Sequence, residues 1–183
     1  MSDAFVVICA AGLLLSCASS STSREPAAAT DVVRTTVAPN EAIDLTRQTL
    51  LHAQEFSAPR ARVWQTLLGA EGKIGMPLES ADSSAGTVVF HLQTPSPRIA
   101  GTHASVFLDC GLAAGGIPRV NTYQLNVRLT AYVEVIDAQR TLVRTAVLAY
   151  ARDRAITADQ LPCTSSGELE RRALAIVAAQ LGQ

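Results

Sequence analysis

The chain has 183 residues, 48% hydrophobic and only 4% aromatic, with 15 Lys plus Arg against 16 Asp plus Glu and a formal net charge of −1. That length suits one domain plus a leader. The charge balance excludes a basic nucleic-acid-binding surface built on excess cations, and there is no acidic tail.

Residues 4–15, AFVVICAAGLLL, form an apolar run of 12. As a helix this rises about 18 Å, short of a bilayer core of about 30 Å, and it fits the apolar region of a secretory signal peptide. Leu14, Leu15 and Ser16 before Cys17 resemble the lipobox of bacterial lipoproteins. That resemblance implies cleavage after residue 16 and a diacylglyceryl thioether on Cys17, usually with an N-acyl chain. Two or more acyl chains anchor a protein stably. The segment MSD before the apolar run departs from the pattern, having Asp3 and no Lys or Arg, which leaves an upstream start codon open. Ala18 is not the Asp that retains lipoproteins at the inner membrane, so the resemblance implies the outer membrane, with the domain facing the periplasm.

Residues 17–44 are rich in Ser, Thr, Ala and Pro and read as a flexible linker, with DVVRTTV able to add a short strand. A single folded domain is expected over 45–183. QTLLHAQEF, 48–56, predicts a strand. Residues 57–75 predict one helix, with Ser57 as cap, Pro59 in the first turn, and Val63, Leu67, Leu68 and Glu71 at helical steps beside Trp64. Gly72 or Gly75 ends it. MPLESAD predicts a short strand, SSAG a turn, and TVVFHLQ a strand with Val88, Phe90 and Leu92 on one face.

The stretch 94–122 reads mainly as loops around a short strand ending at Cys110. YQLNVRLTAYVEVI, 123–136, alternates with a period of two, placing Leu125, Val127, Leu129, Ala131, Val133 and Val135 on one face. TLVRTAVLAYA predicts its hairpin partner, with the inward parity undecided. In the last segment Ser165 and Glu168 have capping-box spacing. Leu169, Ala173, Ile176 and Val177 make the apolar stripe of a final helix, with Glu170, Arg171 and Arg172 largely outside it. The expected fold is α+β: an antiparallel sheet of about five to six strands with two helices packed on one face, a helix-grip-like arrangement.

Once Cys9 is removed and Cys17 lipidated, Cys110 and Cys163 remain. In an oxidising compartment one disulfide is the simplest use of them. The alternatives are a free nucleophilic cysteine and a metal pair. The catalytic and metal arrangements that the residue types allow are a Cys110–His103–Asp109 site and a metal site at His91 and His103. The three His have no HExxH spacing, and there is no CxxC, no GxSxG elbow and no phosphate-loop context at Gly115–Gly116. No catalytic residue, metal or cofactor is therefore assigned. Trp64 reads as core.

The stretch EFSAPRARVWQTLLGAEGKIGMPLESADSSAGTVVF resembles the opening of helix-grip domains, through Ala58, Pro59, Val63, Trp64, Leu67, Gly86 and Thr87. With the lipobox, it resembles the BamC-like lipoproteins of the machinery that inserts β-barrels into the outer membrane. The chain departs from that family in having room for one such domain, a short leader, and the Cys110–Cys163 pair. The resemblance implies a non-catalytic interaction or scaffold module of the cell envelope, with other envelope proteins as partners. The wider START-like family opens similarly and implies the other function class, a binder of a small apolar ligand or lipid between sheet and helix. A filled sheet–helix interface with an apolar outer patch points to the first class, and a hollow one to the second.

Overall fold

The computed structural model describes residues 52–154 and 160–183; the lipobox with Cys17, the linker and the first part of the predicted first strand lie outside them. The backbone runs from β1 (His52–Phe56) into α1 (Arg60–Leu68) and α2 (Glu71–Ile74), then β2 (Leu78–Asp82) and β3 (Thr87–Thr94). A small excursion follows: β4 (Arg98–Ile99), β5 (Thr102–His103), a 3-10 turn, β6 (Leu108–Asp109), a second 3-10 turn and α3 (Arg119–Thr122). The chain closes with β7 (Gln124–Val135), β8 (Thr141–Arg152), β9 (Gln160–Ser165) and α4 (Glu168–Leu181).

Seven strands form one antiparallel sheet in the order β2-β3-β7-β8-β9-β6, with β1 also on β8. Helices α1 and α4 pack on the sheet and on each other, α1 against β7 and α4 against β8 and β1. The fold is α+β, an antiparallel sheet with helices packed on it, as predicted; the sheet has seven strands among the described residues where about five to six were expected.

The predicted alternation of β7 holds from Leu125 to Val133, all buried, and ends there: Val135 is 60% exposed at the hairpin tip, where the opposing helices no longer cover the strand. On β8 the buried row is Thr141, Val143, Thr145, Val147, Ala149 and Ala151. Two threonines face inward while Leu142 and Leu148 face outward, so polarity could not reveal the parity. Thr141 is accommodated because its hydroxyl donates to the Ala58 carbonyl at 2.8 Å.

The predicted single helix over 57–75 is two helices. α1 stops at Gly69, and Ala70 begins the short α2. Gly75, in the left-handed region, ends α2, with its N–H donating to the Glu71 carbonyl. The predicted Ser57 cap is absent: Pro59 stands at the N-cap, and the Ser57 N–H donates to the side chain of the C-terminal Gln183. Val63 and Leu67 are buried as expected, whereas Trp64 lies at the rim of the core under the Arg60 guanidinium, 5.6 Å from its ring centre.

β9 was not expected. Its sequence, QLPCTS, contains Pro162, which lacks the N–H a central strand requires but is tolerated beside an open edge. Only the last two residues of β9 pair outward, Ser165 with Leu108 and Thr164 with Asp109.

Candidate functional site

Two places carry polar chemistry that packing alone does not explain. The first is the junction where α4 begins. β8 changes partner along one edge: β1 pairs with it up to Thr145, and β9 pairs with it from Ala149. Continuing the β8–β9 register by two residues sets Ser165 opposite Val147, but Ser165 has turned to pair with β6.

The expected capping box does not form there. Gly167 is the N-cap of α4, in the left-handed region, with no side-chain cap. The Ser165 hydroxyl accepts from the Gly167 N–H at 3.0 Å and meets Oε2 of Glu170, not Glu168, at 2.9 Å. Gly167 is required twice over. Its backbone is left-handed, and a Cβ would collide with Nε2 of His52, which lies against it.

Glu170 was expected largely outside the apolar stripe, and it is instead fully buried. It shares a helix face with Ala173, Leu174 and Val177, the i, i+3, i+4, i+7 positions, and all three are buried. That spacing was present in the sequence; the charge of the residue concealed it. Oε1 is buried without a hydrogen bond of good geometry among the described residues. Burial pushes the carboxyl upward from its ordinary range. The amides of Glu170 itself and Val147, the Ser165 hydroxyl and Arg171 oppose that shift. His52 is held below its ordinary range by burial and by Arg171, with Glu168 pulling the other way.

The second place is a cleft of about 350 Å³ between β9 and the segment after β6, lined by Asp109, Cys110, Gly111, Arg119, Leu161, Pro162 and Thr164. Cys110 and Cys163 are joined in a disulfide beside it. Cys110 is therefore not available as a nucleophile. Asp109 accepts from the Gly111 N–H rather than facing a histidine. Arg119 Nη1 donates to the Cys110 carbonyl at 3.3 Å, and its Nε is buried without a partner among the described residues. The excursion between β5 and α3, which supplies part of the cleft lining, leaves Val106, Leu112 and Ile117 about half exposed. Leu112 and Ile117 belong to one small loop, closed by a bridge between Leu112 and Pro118.

His103 and His91 do not converge on a common site. His103 caps the first 3-10 turn, its Nδ1 2.7 Å from the Ser105 hydroxyl. His91 lies on the outer face of the sheet, with Nε2 2.9 Å from Asn126 and Nδ1 3.5 Å from Glu79. Arg128 donates two bonds of 2.9 Å to the same Glu79 carboxylate. Among the described residues no three His, Cys, Asp or Glu side chains form a metal-binding group. No described helix is long and apolar enough to cross a membrane.

No family model and no curated protein matches the chain. Among solved structures, it is similar to a DUF4468 family protein from Bacteroides ovatus, at 11% identity and a TM-score of 0.32, over 62% of this chain and 60% of that one. It is also similar to the Zhui aromatase/cyclase from Streptomyces sp. R1128, at 17% identity and a TM-score of 0.28, over 73% of this chain and 85% of that one. Neither likeness carries an activity to this chain.

Proposed function

We propose that the chain is a non-catalytic interaction module, held at the periplasmic face of the outer membrane by a lipid on Cys17, that docks envelope partners through the loop beside the disulfide. The observation that carries the docking reading is that Val106, Leu112 and Ile117 are left exposed on the excursion that also supplies Asp109, Cys110, Gly111 and Arg119 to the cleft. The inner faces of the sheet and of α4 meanwhile join one cluster of buried side chains. A lipid tether raises the effective concentration of such a surface toward other membrane components.

Crosslinking in intact cells tests this. The doubly substituted Leu112→Asp/Ile117→Asp protein should stay in the membrane fraction and lose the crosslinked species that the wild type forms. Cys17→Ala should lose both the membrane association and the crosslinks. Crosslinks indifferent to the loop substitutions overturn the docking surface. A lipid that co-purifies stoichiometrically with Cys17→Ala identifies the protein as a lipid binder instead.

A further inference from the structure

We propose that the end of the sheet covered by the segment 95–102 is a membrane-facing surface, on which Arg98, Arg152 and Arg154 meet the headgroup phosphates of an anionic phospholipid bilayer and set the orientation of the domain. The near-balanced total charge conceals a segregation. At the β7–β8 hairpin, Glu55, Glu134 and Asp137 are ion-paired with Arg140 and Arg144. At the other end of the same two strands, roughly 35 Å away at about 3.4 Å per residue, the charges are Arg98, Arg152, Arg154 and Arg172 against Asp153. None of these arginines is ion-paired with a carboxylate among the described residues. Glu168 of α4 is taken by Arg171. The sequence adds one further carboxylate, Asp159, outside the described residues, and the cations still outnumber the acids.

The strands dictate this placement. β3 ends at Thr94, opposite Leu125, and β7 begins at Gln124, opposite Arg152. The segment that follows β3 is held firmly. Ile99 is buried, and Ala100 and Gly101 turn the chain in the left-handed region, with Ala100 packed against Gly75 at the end of α2. Three guanidiniums converge on the segment. Arg98 donates to the Gly101 carbonyl at 2.8 Å, Arg154 to the Pro95 carbonyl, and Arg172, from α4, to the Thr102 hydroxyl at 3.1 Å. Arg98, Arg152 and Arg154 are exposed. A guanidinium has five N–H donors, so one bond to the loop orients it and leaves a fork for phosphate oxygens. A protein partner would call for an apolar centre to the contact. The exposed large apolar side chains among the described residues lie elsewhere, on the excursion and at the hairpin. That favours a lipid surface. The lipid tether on Cys17 serves only to bring a bilayer within reach, and the surface stands apart from it and from the docking loop.

Vesicle sedimentation decides it, on the full chain carrying Cys17→Ala so that no acyl chain contributes. The vesicles are phosphatidylcholine alone, and phosphatidylcholine with phosphatidylglycerol in equal parts. The apolar run 4–15 favours both alike, so the ratio of the two affinities is the readout. The ratio should favour the anionic vesicles and fall as salt rises. Arg152→Gln should lower it about fivefold and Arg98→Gln/Arg154→Gln about thirtyfold, at about 1 kcal/mol per cation. Arg140→Gln/Arg144→Gln, which removes as much positive charge from the hairpin, should leave it unchanged. Equal affinity for the two vesicles, or an equal loss in the two double variants, overturns the surface. So does the absence of any anionic preference where Arg98→Gln/Arg154→Gln removes a protein crosslink in intact cells, which assigns the patch to an acidic protein. If that double variant does not fold, Arg152→Gln still decides, because its side chain makes no hydrogen bond or ion pair among the described residues. Palmitate labelling reports the anchor separately, so the failure of either leaves the other standing.

Discussion

Replacing Cys110 and Cys163 together by Ala tests how the small excursion is held to the sheet. The two residues are 53 positions apart, and the loop they close contains β7 and β8, the longest strands. Cross-linking a loop of that length removes unfolded-state entropy worth about 4 kcal/mol in the chain-entropy model. Against this, β6 is held to β9 by only two residue pairs, with Ser166 adding bonds to the Phe107 and Val106 carbonyls. Without the covalent link this clip can open locally while the sheet persists. Urea unfolding of the double variant should show a loss of about 4 kcal/mol and a larger m-value, because the unfolded chain expands. At roughly 4 °C per kcal/mol, the melting midpoint should fall by about 15 °C. A loss below about 1 kcal/mol with an unchanged m-value would refute the unfolded-state argument. Loss of exchange protection confined to residues 104–119 would show that the bond acts mainly as a local clip.

Leu129→Ala, at a fully buried position of β7, should cost about 2–5 kcal/mol by cavity formation, measured by the same unfolding assay. Gly167→Ala should destabilise the domain by at least about 1 kcal/mol, from left-handed strain and the collision with His52. Adding His52→Ala should recover only the collision part, which a double-mutant cycle separates. Because burial lowers the folded-state pKa of His52, its contribution is present above 6.5 and is lost as pH falls through the folded value. His52→Gln should therefore flatten the acid-side decline in stability. Glu170 has the opposite sign: its contribution is complete below 4.5 and is lost as pH rises through the folded value. Radiolabelled palmitate should enter the wild type and not Cys17→Ala, and label in neither would refute the lipid anchor.

What was legible in the sequence follows from periodicity. The alternation in β7 and the 3-10-free run of apolar steps in α4 each impose a strong period, and both elements stand where expected. β9 was illegible because its identity comes from tertiary pairing: a strand of six residues carrying Pro162 and Cys163 has little local β signal. The split between α1 and α2 was hidden because Gly69 and Ala70 do not by themselves distinguish a helix end from a helix interior. At the site, the Cys110–Cys163 pairing was approached through compartment and arithmetic. Ser165 reads as a cap for Glu168 and instead meets Glu170, because a carboxylate in an apolar stripe reads as solvent-facing; His52 carries no pattern that sets it against Gly167. Arg119 was missed for a similar reason: its work is done on the backbone of the turn at Cys110 and Gly111, which no side-chain pattern announces.

The two ends of the described domain meet. β1 and α1 lie against α4, and the Ser57 amide is tied to the side chain of Gln183, 126 positions away. A chain emerging N-terminus first must therefore hold Phe56, Val63 and Leu67 without their last covering until the fourteen-residue α4 arrives. The β7–β8 hairpin can form early from neighbouring sequence, but closure waits on the most distant contacts, which makes the last step slow relative to a locally wired fold of equal size. During that wait the apolar face of the nascent sheet is open to chaperones and to neighbouring copies. Synthesis that stops short of residue 168 leaves it open permanently. Helix α4 thus acts as a quality mark on the product: only a chain that carries it can hide the surface that proteolysis and aggregation recognise.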